Sequence, residues 1–96
     1  MANVSFLPAA DADYQAALTW YRARNTQAAA KFEAAVADGV QRIVDRPELY
    51  SFVDNRHRQC LLRRYPYSLI YRVQPMGVLV VAVAHSRRSA SYWRGR

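Results

Sequence analysis

The segment from Tyr67 to His85 constrains the fold most strongly, because it has the pattern of two β-strands joined by a tight turn. Its two halves, Tyr67–Gln74 and Val78–His85, are rich in the Tyr, Val, Leu and Ile residues that favour strands. Between them, Pro75-Met76-Gly77 has the composition of a turn. The sequence therefore predicts an antiparallel hairpin around which the rest of the chain is arranged.

The length of this turn decides which side chains share a face of the hairpin. In a three-residue loop, Gln74 faces Val78, and the pairing continues outward until Tyr67 lies opposite His85. The bulkier face, which we expect to pack on the helices, then contains Tyr67, Leu69, Tyr71, Val73, Leu79, Val81, Val83 and His85. The other face, which we expect to be shallower and more exposed, contains Ser68, Ile70, Arg72, Val80, Ala82 and Ala84. A two-residue loop would reverse the assignment for one strand.

The N-terminal half begins with a short strand and a helix. Residues Asn3–Leu7 alternate between apolar and polar, and Pro8 ends that pattern. A first helix is predicted over about Ala10–Arg24, with acidic residues in its first turn and basic residues in its last. The apolar residues that recur at i, i+3, i+4 and i+7 on one face of this helix are Tyr14, Ala17, Leu18 and Tyr21.

A second helix follows a break at Asn25-Thr26, where either residue can cap its start, and Pro47 ends it. Its apolar stripe consists of Phe32, Val36, Val40, Ile43 and Val44. The small residues Ala35 and Gly39 beside this stripe predict a close approach of the first helix. Because the link between the two helices is so short, they should pack as an antiparallel hairpin.

The remaining segments complete the predicted element order. Pro47–His57 has the composition of a loop, and Arg58–Arg64 can form a strand. The order is then β-α-α-β-β-β, an α+β fold in which the N-terminal helical hairpin packs on one face of an antiparallel sheet. A length of 96 residues predicts a single domain over residues 1–96.

Cysteine content and hydropathy predict a cytoplasmic protein. The single cysteine, Cys60, excludes an intrachain disulfide and fits a reducing compartment. The N-terminal residues lack the basic start and apolar run of a signal peptide. The longest apolar run, Val78–Ala84, is far shorter than the roughly 20 residues that span a bilayer, so no membrane association is predicted.

The net charge of +7 is carried entirely by the second half of the chain. Residues 1–46 contain five basic and five acidic side chains, whereas residues 47–96 contain nine arginines against Glu48 and Asp54. Such a field attracts nucleic acid, an acidic protein or a membrane surface. Arginine further favours bidentate contacts with phosphate or carboxylate groups.

The end of the last strand carries the clearest candidate chemistry. His85, Arg87, Arg88 and Tyr92 could perform acid–base catalysis on a phosphodiester, with arginine stabilising the transition state. The alternative is a basic edge where one histidine caps the sheet. Neither His57 nor His85 has a cysteine or carboxylate at ligand spacing, so no metal site is predicted. The chain also lacks a glycine-rich phosphate loop, so we expect no cofactor.

Aromatic residues alternate with arginines in three places of the second half. These are Arg63-Arg64-Tyr65, Tyr71-Arg72 and Tyr92-Trp93-Arg94. Stacking combined with phosphate pairing is how proteins hold single-stranded nucleic acid. In the alternative interpretation, Tyr71 belongs to the core and Tyr92-Trp93 anchors the tail against the sheet.

These residues resemble the RelE/ParE superfamily of bacterial toxins. The resemblance covers essentially the whole chain, and its main carriers are Arg64–Val73, Val78–Ala84, His85–Arg88 and Tyr92–Arg94, with Trp20-Tyr21 and Arg46-Pro47 in the first half. It implies the fold derived above and a toxin of a type II toxin–antitoxin module. It also implies a hetero-oligomer with a small acidic antitoxin, whose C-terminal segment folds around the basic toxin.

The resemblance implies two mechanisms that different residues would support. RelE-like members cut messenger RNA on the ribosome, and ParE-like members poison DNA gyrase. The nuclease branch carries lysines on the strand before the hairpin, where this chain has Gln59 and Leu61. It also carries an arginine after the first hairpin tyrosine, where this chain has Ser68. Because those cations are missing, the resemblance favours a ParE-like toxin that acts by binding.

We therefore expect a gyrase inhibitor of a plasmid-stabilisation module that a cognate antitoxin neutralises. If the chain is instead a ribosome-dependent endoribonuclease, its candidate catalytic residues are His85, Arg87 and Tyr92, with Trp93 replacing Tyr92 if the alignment shifts by one residue. A non-toxic basic nucleic-acid-binding domain is the third interpretation. The residues expected to bind the antitoxin or the target are Arg63, Arg64, Arg72, Arg87, Arg88, Tyr92, Trp93 and Arg94.

Overall fold

The computed structural model describes residues 3–96 and has the predicted element order with one short helix added at the end. The elements are β1 (Asn3–Phe6), α1 (Pro8–Arg24), α2 (Thr26–Asp45), β2 (Arg58–Leu61), β3 (Tyr67–Gln74), β4 (Gly77–His85) and α3 (Ser91–Arg94). The predicted α+β class is confirmed. No helix within residues 3–96 is both long enough and apolar enough to cross a membrane.

The four strands form one mixed sheet in the order β1-β4-β3-β2. β2, β3 and β4 pair antiparallel, as predicted, whereas β1 lies parallel to β4 from Asn3 opposite Gly77 to Phe6 opposite Val80. A parallel neighbour needs a crossover connection, and the helical hairpin supplies it. α1 begins two residues earlier than predicted, because Pro8 occupies the first helical turn, where its missing N–H costs nothing.

The helical hairpin is closed by a cap at Asn25, one of the two predicted cap residues. Its side-chain oxygen accepts a hydrogen bond from the Ala28 N–H at 2.8 Å, while its own backbone is extended. Across the hairpin, the Phe32 ring stacks on Tyr14 and Tyr21, with centroids 6.0 and 4.9 Å apart. The predicted antiparallel packing of the two helices is therefore confirmed.

The main core lies between the helical hairpin and the sheet. Its buried members include Leu18, Phe32, Val36, Ile43, Cys60, Leu62, Leu69, Tyr71, Val80 and Val83. Gly39 approaches this sheet, since a Cβ placed there would lie 2.8 Å from Leu62 and 3.0 Å from Leu69. The prediction that Gly39 allows α1 to pack closely on α2 was therefore wrong. Gly39 lies on the face of α2 that packs against the strands.

The β3–β4 turn is one residue shorter than predicted. Gln74 lies opposite Gly77 rather than Val78, so only Pro75 and Met76 form the loop. Gly77 has a φ of 145°, which side chains rarely adopt, and it lies against the main chain of β1. A shorter loop alone would have moved every β4 side chain to the opposite face.

A β-bulge at Val81 restores the predicted register farther from the turn. Tyr71 pairs with Val80 but its neighbour Ile70 pairs with Ala82, which leaves Val81 as an extra residue on β4. The strand ends pair as predicted because the short loop and the bulge compensate each other. The bulge confines the register error to the part of β4 next to the turn.

The assignment of faces was therefore correct for β3 and for the last residues of β4 but wrong near the turn. Leu69 and Tyr71 face the helices, as predicted, and Ile70 faces away. Val80 faces the helices instead of the opposite side. Leu79 and Val81 lie on the opposite side instead of under the helices.

The face of the sheet away from the helices is buried, so the prediction of a shallow exposed surface was wrong. Ile70, Val81, Ala82 and Ala84 form a second apolar cluster together with Trp93 of α3. Trp93 is only 4% exposed. The tail folds back across the sheet and covers this cluster, because a large aromatic ring stabilises most when it is removed from water.

Candidate functional site

The chain turns sharply after β4, and this turn fixes the position of His85. The Ser86 N–H donates to the Pro66 carbonyl at 2.8 Å, and the Arg88 N–H donates to the His85 carbonyl at 3.0 Å. The Arg87 N–H donates to Nδ1 of His85 at 3.1 Å. Since Nδ1 accepts this bond, Nε2 is the nitrogen that carries the proton in the neutral ring.

A cleft of about 230 Å³ opens beside His85, between α1 and the end of β4. We call it the α1–β4 cleft. Its polar and aromatic lining residues are Asp13, Trp20, Tyr67, His85, Arg88 and Tyr92. The Tyr67 and His85 rings meet edge to face at 5.0 Å. The cleft therefore brings together three of the residues predicted from the basic tail, namely His85, Arg88 and Tyr92.

Two arginines stack on aromatic rings around this cleft. The Arg24 guanidinium lies 3.4 Å from the centre of the Trp20 ring, and the Arg88 guanidinium lies 3.7 Å from that of Tyr92. Trp20 remains 51% exposed although it is the largest side-chain type. Exposed tryptophan, tyrosine and arginine at the rim of a depression are the residues that dominate protein-binding surfaces.

Asp13 has a structural role at the base of the cleft. Beyond the end of β1, no strand within residues 3–96 pairs with β4 on that side, and side chains supply the missing hydrogen bonds. Oδ2 of Asp13 accepts from the Val83 N–H at 3.1 Å and from Nη1 of Arg96 at 2.9 Å. The same Nη1 donates to the Val81 carbonyl at 2.9 Å. This ion pair, only 12% and 20% exposed, joins α1, the bulge and the tail.

The electrostatics of the cleft favour binding over base catalysis. Burial raises the pKa of Tyr67 and of Tyr92 above the ordinary tyrosine value, and the charge of Asp13 raises that of Tyr92 further. Both hydroxyls therefore stay protonated at neutral pH, where they can donate hydrogen bonds but cannot accept a substrate proton. The two tyrosines of the cleft are thus suited to binding a partner through hydrogen bonds and not to general-base catalysis.

The positions at which the resemblance places the nuclease cations carry none in the structure. Gln59 and Leu61 have exposed side chains on the edge strand β2, and Ser68 is buried. Arg87 is exposed but does not line the α1–β4 cleft. The predicted catalytic trio is thus only partly assembled, with His85 and Tyr92 in the cleft and Arg87 outside it.

The other arginines predicted to bind partners lie in separate places. Arg63 and Arg64 form the β2–β3 turn and line a groove of about 570 Å³ along α2. Arg63 lies 3.8 Å from Asp38 of that helix. Arg64 has a φ of 68°, an unusual conformation for a residue other than glycine. These two residues therefore belong to a surface distinct from the cleft.

The last three predicted binding residues also differ in their exposure. Arg72 is partly buried and donates to the main-chain oxygen of Arg96 at 3.1 Å. Trp93 lies in the second core, so its side chain cannot belong to a binding surface in this structure, and it anchors the tail instead. Arg94 is exposed on α3. The predicted basic surface is thus divided among several sites.

Asp13 and Trp20 are site residues that sequence reasoning missed. Both lie on α1, far along the chain from the basic tail. Trp20 falls outside the apolar stripe predicted for that helix, and a tryptophan at an exposed helix position was the available signal. Asp13 is one of the acidic residues that were assigned to the first turn of this helix, where they were expected only to complement the helix dipole. Among residues 3–96, no group of three His, Cys, Asp or Glu side chains could hold a metal ion.

Comparisons with known proteins point to one family. The family profile described as "ParE toxin of type II toxin-antitoxin system, parDE" matches residues 4–90. One chain of a solved structure, "Chromosomal ParDE TA system from P. aeruginosa", is 20% identical with a TM-score of 0.65, and the match covers 88% of this chain and 96% of that one. At this identity the likeness supports the fold alone. Curated protein sequences give no match.

Proposed function

Because the chain belongs to the ParE toxin family of type II toxin–antitoxin systems, we propose that it inhibits DNA gyrase by binding it and that a cognate antitoxin neutralises it. The observation that carries this proposal is the family match over residues 4–90. The absence of cations at Gln59, Leu61 and Ser68 supports a toxin that binds rather than cuts. Gyrase acts in the cytoplasm, where we place the protein.

The charge distribution supports an acidic antitoxin as the partner. The second half of the chain carries the whole excess of +7. Three basic side chains and one carboxylate line the groove along α2 beside the apolar side chains of Ala34 and Ala35, and these charged residues are Lys31, Arg63, Arg64 and Asp38. An acidic, partly apolar segment would match both the charge and the shape of this groove.

The α1–β4 cleft is the surface that we assign to the target. Trp20, Arg88 and Tyr92 give it the composition of a protein-binding hot spot, and the Asp13–Arg96 ion pair holds its walls together. A gyrase subunit would then contact the exposed Trp20 ring and the arginine next to it. This assignment makes the cleft separable from the antitoxin groove by mutation.

Gyrase supercoiling assays with purified toxin test the proposal. Wild-type toxin should inhibit supercoiling at micromolar concentration, and Trp20→Ala should weaken that inhibition by roughly tenfold or more, as expected for a hot-spot side chain. Arg22→Ala is the matched control, since Arg22 is exposed on the same helix and does not line the cleft. Absence of inhibition by the wild-type protein at this concentration would contradict the proposal.

A ribosome-dependent endoribonuclease is the second candidate, because His85 and Tyr92 share one cleft with Arg88. In that case His85→Ala and Arg87→Ala should abolish toxicity while the variants still fold and bind the antitoxin. If both variants remain toxic, the nuclease mechanism fails. If the wild-type protein binds nucleic acid but does not arrest growth, a non-toxic nucleic-acid-binding domain is the better description.

A further inference from the structure

A second pocket, of about 410 Å³, lies at the opposite end of the sheet from the α1–β4 cleft. We call it the arginine pocket. β2 begins at Arg58 opposite Tyr71, so the last residues of β3 have no strand partner on that side within the described residues 3–96. The loop before β2 lines the resulting space. The residues that matter below are Phe52, Asn55, Arg56, Arg58, Arg72 and Gln74. Pockets of this size accommodate small ligands.

The pocket concentrates positive charge that no Asp or Glu side chain neutralises. Among residues 3–96, none of its three arginines lies within 4.0 Å of the carboxylate of an Asp or Glu side chain. Nη1 of Arg58 donates to the main-chain oxygens of Glu48 and Tyr50, which leaves its charge uncompensated. Nη2 of Arg72 is engaged by the main-chain oxygen of Arg96, and its buried Nε has no hydrogen-bond partner within residues 3–96. The Arg56 side chain is exposed and makes no hydrogen bond to any part of the chain that the structure describes.

The carboxylate nearest to these arginines along the chain is already engaged. Oδ1 of Asp54 accepts from the Arg56 and His57 N–H groups, and Oδ2 lies 2.8 Å from Nδ1 of the fully buried His57. Both oxygens are therefore hydrogen-bonded within the loop, and among residues 3–96 no arginine side chain lies within 4.0 Å of them. The pocket thus keeps its capacity to bind an anion.

Phe52 adds an aromatic surface next to these charges. It is 56% exposed, and the Arg58 guanidinium lies 3.9 Å from its ring centre. The arginine covers part of the ring, and the more than half of the side chain that remains exposed is available for stacking. The side-chain amides of Asn55 and Gln74, also at the pocket, can each donate and accept hydrogen bonds, as the edge of a nucleobase requires.

We propose that the arginine pocket binds a nucleotide. The exposed Arg56 guanidinium holds the phosphate group, which carries close to two negative charges at neutral pH, in the positive field of Arg58 and Arg72, and the base stacks on the exposed surface of Phe52. The ligand is either a free nucleoside monophosphate or a nucleotide within a single strand. The pocket shares no lining residue with the α1–β4 cleft, so the proposal is independent of gyrase inhibition.

Titration of the isotopically labelled protein, followed by amide chemical shifts, tests this site. We expect adenosine monophosphate to shift resonances around Phe52, Arg56 and Gln74, and inorganic phosphate to bind at least tenfold more weakly because it lacks a base. If inorganic phosphate or hexaglutamate binds as tightly as the nucleotide, the pocket recognises only negative charge, and the nucleotide assignment is overturned. No shift at millimolar nucleotide also overturns it.

Three variants separate the two parts of the site. Arg56→Gln should weaken nucleotide binding by about tenfold or more, the loss expected for one charge-assisted hydrogen bond. Phe52→Ala should weaken nucleotide binding but leave inorganic phosphate binding unchanged. Arg22→Gln removes one exposed charge elsewhere and should leave both unchanged. Equal losses in Arg56→Gln and Arg22→Gln would mean that only net charge matters and would overturn the proposal.

A tetranucleotide distinguishes the two sources of the ligand. If the pocket is part of a single-strand track, the tetranucleotide should bind more tightly than the monophosphate and lose affinity steeply with salt. If the ligand is a free nucleotide, both should bind equally. In both cases, Phe52→Ala should weaken binding of the tetranucleotide and of the monophosphate. If either ligand bound this variant as tightly as the wild-type protein, the binding site would lie outside the arginine pocket, which would contradict the proposal.

Discussion

Asp54 is the residue that organises the loop before β2, and its negative charge makes its hydrogen bonds strong. Partial burial opposes ionisation of the carboxylate, but hydrogen bonds from the N–H groups of Arg56 and His57 and from the His57 ring lower its pKa to about 2. The contribution to stability is therefore present above the ordinary carboxylate pKa of about 4. It is lost as the pH falls from there through the folded-state pKa.

We expect Asp54→Asn to lower the free energy of unfolding at pH 7 by about 1–3 kcal/mol, because an amide cannot provide these charged acceptors. The loss should shrink between pH 4 and pH 2, where the wild-type protein loses the same contribution. Urea unfolding over this pH range measures both effects. Asp45→Asn is the control, since that exposed carboxylate has one side-chain hydrogen bond from Gln41. An equal loss at pH 7 and pH 2 would contradict the explanation.

Gly77 marks the point where the hairpin turn meets β1. A Cβ at this position would lie 2.1 Å from the main-chain oxygen of Asn3, and the φ of 145° strains any side chain. We expect Gly77→Ala to destabilise the protein by more than about 2 kcal/mol, since the β1–β4 pairing must open to admit the methyl group. Thermal unfolding measures this loss.

The matched control for that change is Gly95→Ala. Apart from its own helix and its chain neighbours, nothing within residues 3–96 lies within 4 Å of the Cβ that this substitution adds, and Gly95 has an ordinary helical backbone. The melting temperature should therefore remain within a few degrees of the wild-type value. If Gly77→Ala were as well tolerated as Gly95→Ala, the strand β1 would not be held against the turn as described.

At the scale of elements, the sequence predicted what depends on local pattern and missed what depends on contacts between distant segments. β3 has the predicted bounds of Tyr67–Gln74, because alternation and strand-forming residues persist along its whole length. The bulge at Val81 could not be predicted, since every residue around it is apolar and no glycine or polar residue marks the extra position. The faces of three β4 residues were consequently misassigned.

The residues of the candidate site were likewise predicted where they are close in sequence and missed where distant segments bring them together. His85, Arg88 and Tyr92 are close in sequence, and their proximity was predicted from spacing alone. Asp13 and Trp20 reach the cleft only because α1 crosses the end of β4, which follows from the parallel β1–β4 pairing. Local patterns did not predict that pairing, so they could not predict these two residues.

The short helix α3 contributes more to stability than its length suggests. Its Trp93 ring packs on the second apolar cluster and meets the buried His57 ring at 5.2 Å. We expect Trp93→Ala to lower the free energy of unfolding by about 3–5 kcal/mol through lost burial and the cavity left behind. Chemical denaturation of the purified protein measures the loss.

Arg94→Ala provides the control within the same helix, because that side chain is exposed and is expected to change stability by less than about 0.5 kcal/mol. Similar effects of the two substitutions would mean that the helix itself, and not the ring beneath it, stabilises the sheet. A Trp93→Phe variant should retain part of the stability, since it keeps an aromatic side chain in the cluster.

At the scale of the molecule, the separation of charge between the two halves of the chain predicts how the toxin meets an acidic partner. Long-range attraction to the positive half should raise the association rate with the antitoxin, and salt should screen it. We expect the association rate to fall by about tenfold or more between 50 and 500 mM salt, with a much smaller change in the dissociation rate. Stopped-flow mixing at several salt concentrations measures both rates.

Variants that replace one arginine with an uncharged glutamine show which surface is responsible for this attraction. Arg64→Gln lies in the groove assigned to the antitoxin and should reduce both the association rate and its salt dependence. Arg22→Gln lies in the electrically balanced half, outside that groove, and should have a smaller effect. A salt-independent association rate would show that the charge excess serves another ligand.

The parallel pairing of β1 with β4 has a consequence for how this protein is made. β4 is an inner strand of the sheet but begins about 70 residues after β1, and within residues 3–96 β1 pairs with no other strand. Pairings so distant along the chain form slowly and late. The nascent protein therefore cannot complete this sheet, or assemble the α1–β4 cleft, until β4 has left the ribosome. A nascent chain that has not yet released β4 thus lacks the surface that we assign to the target.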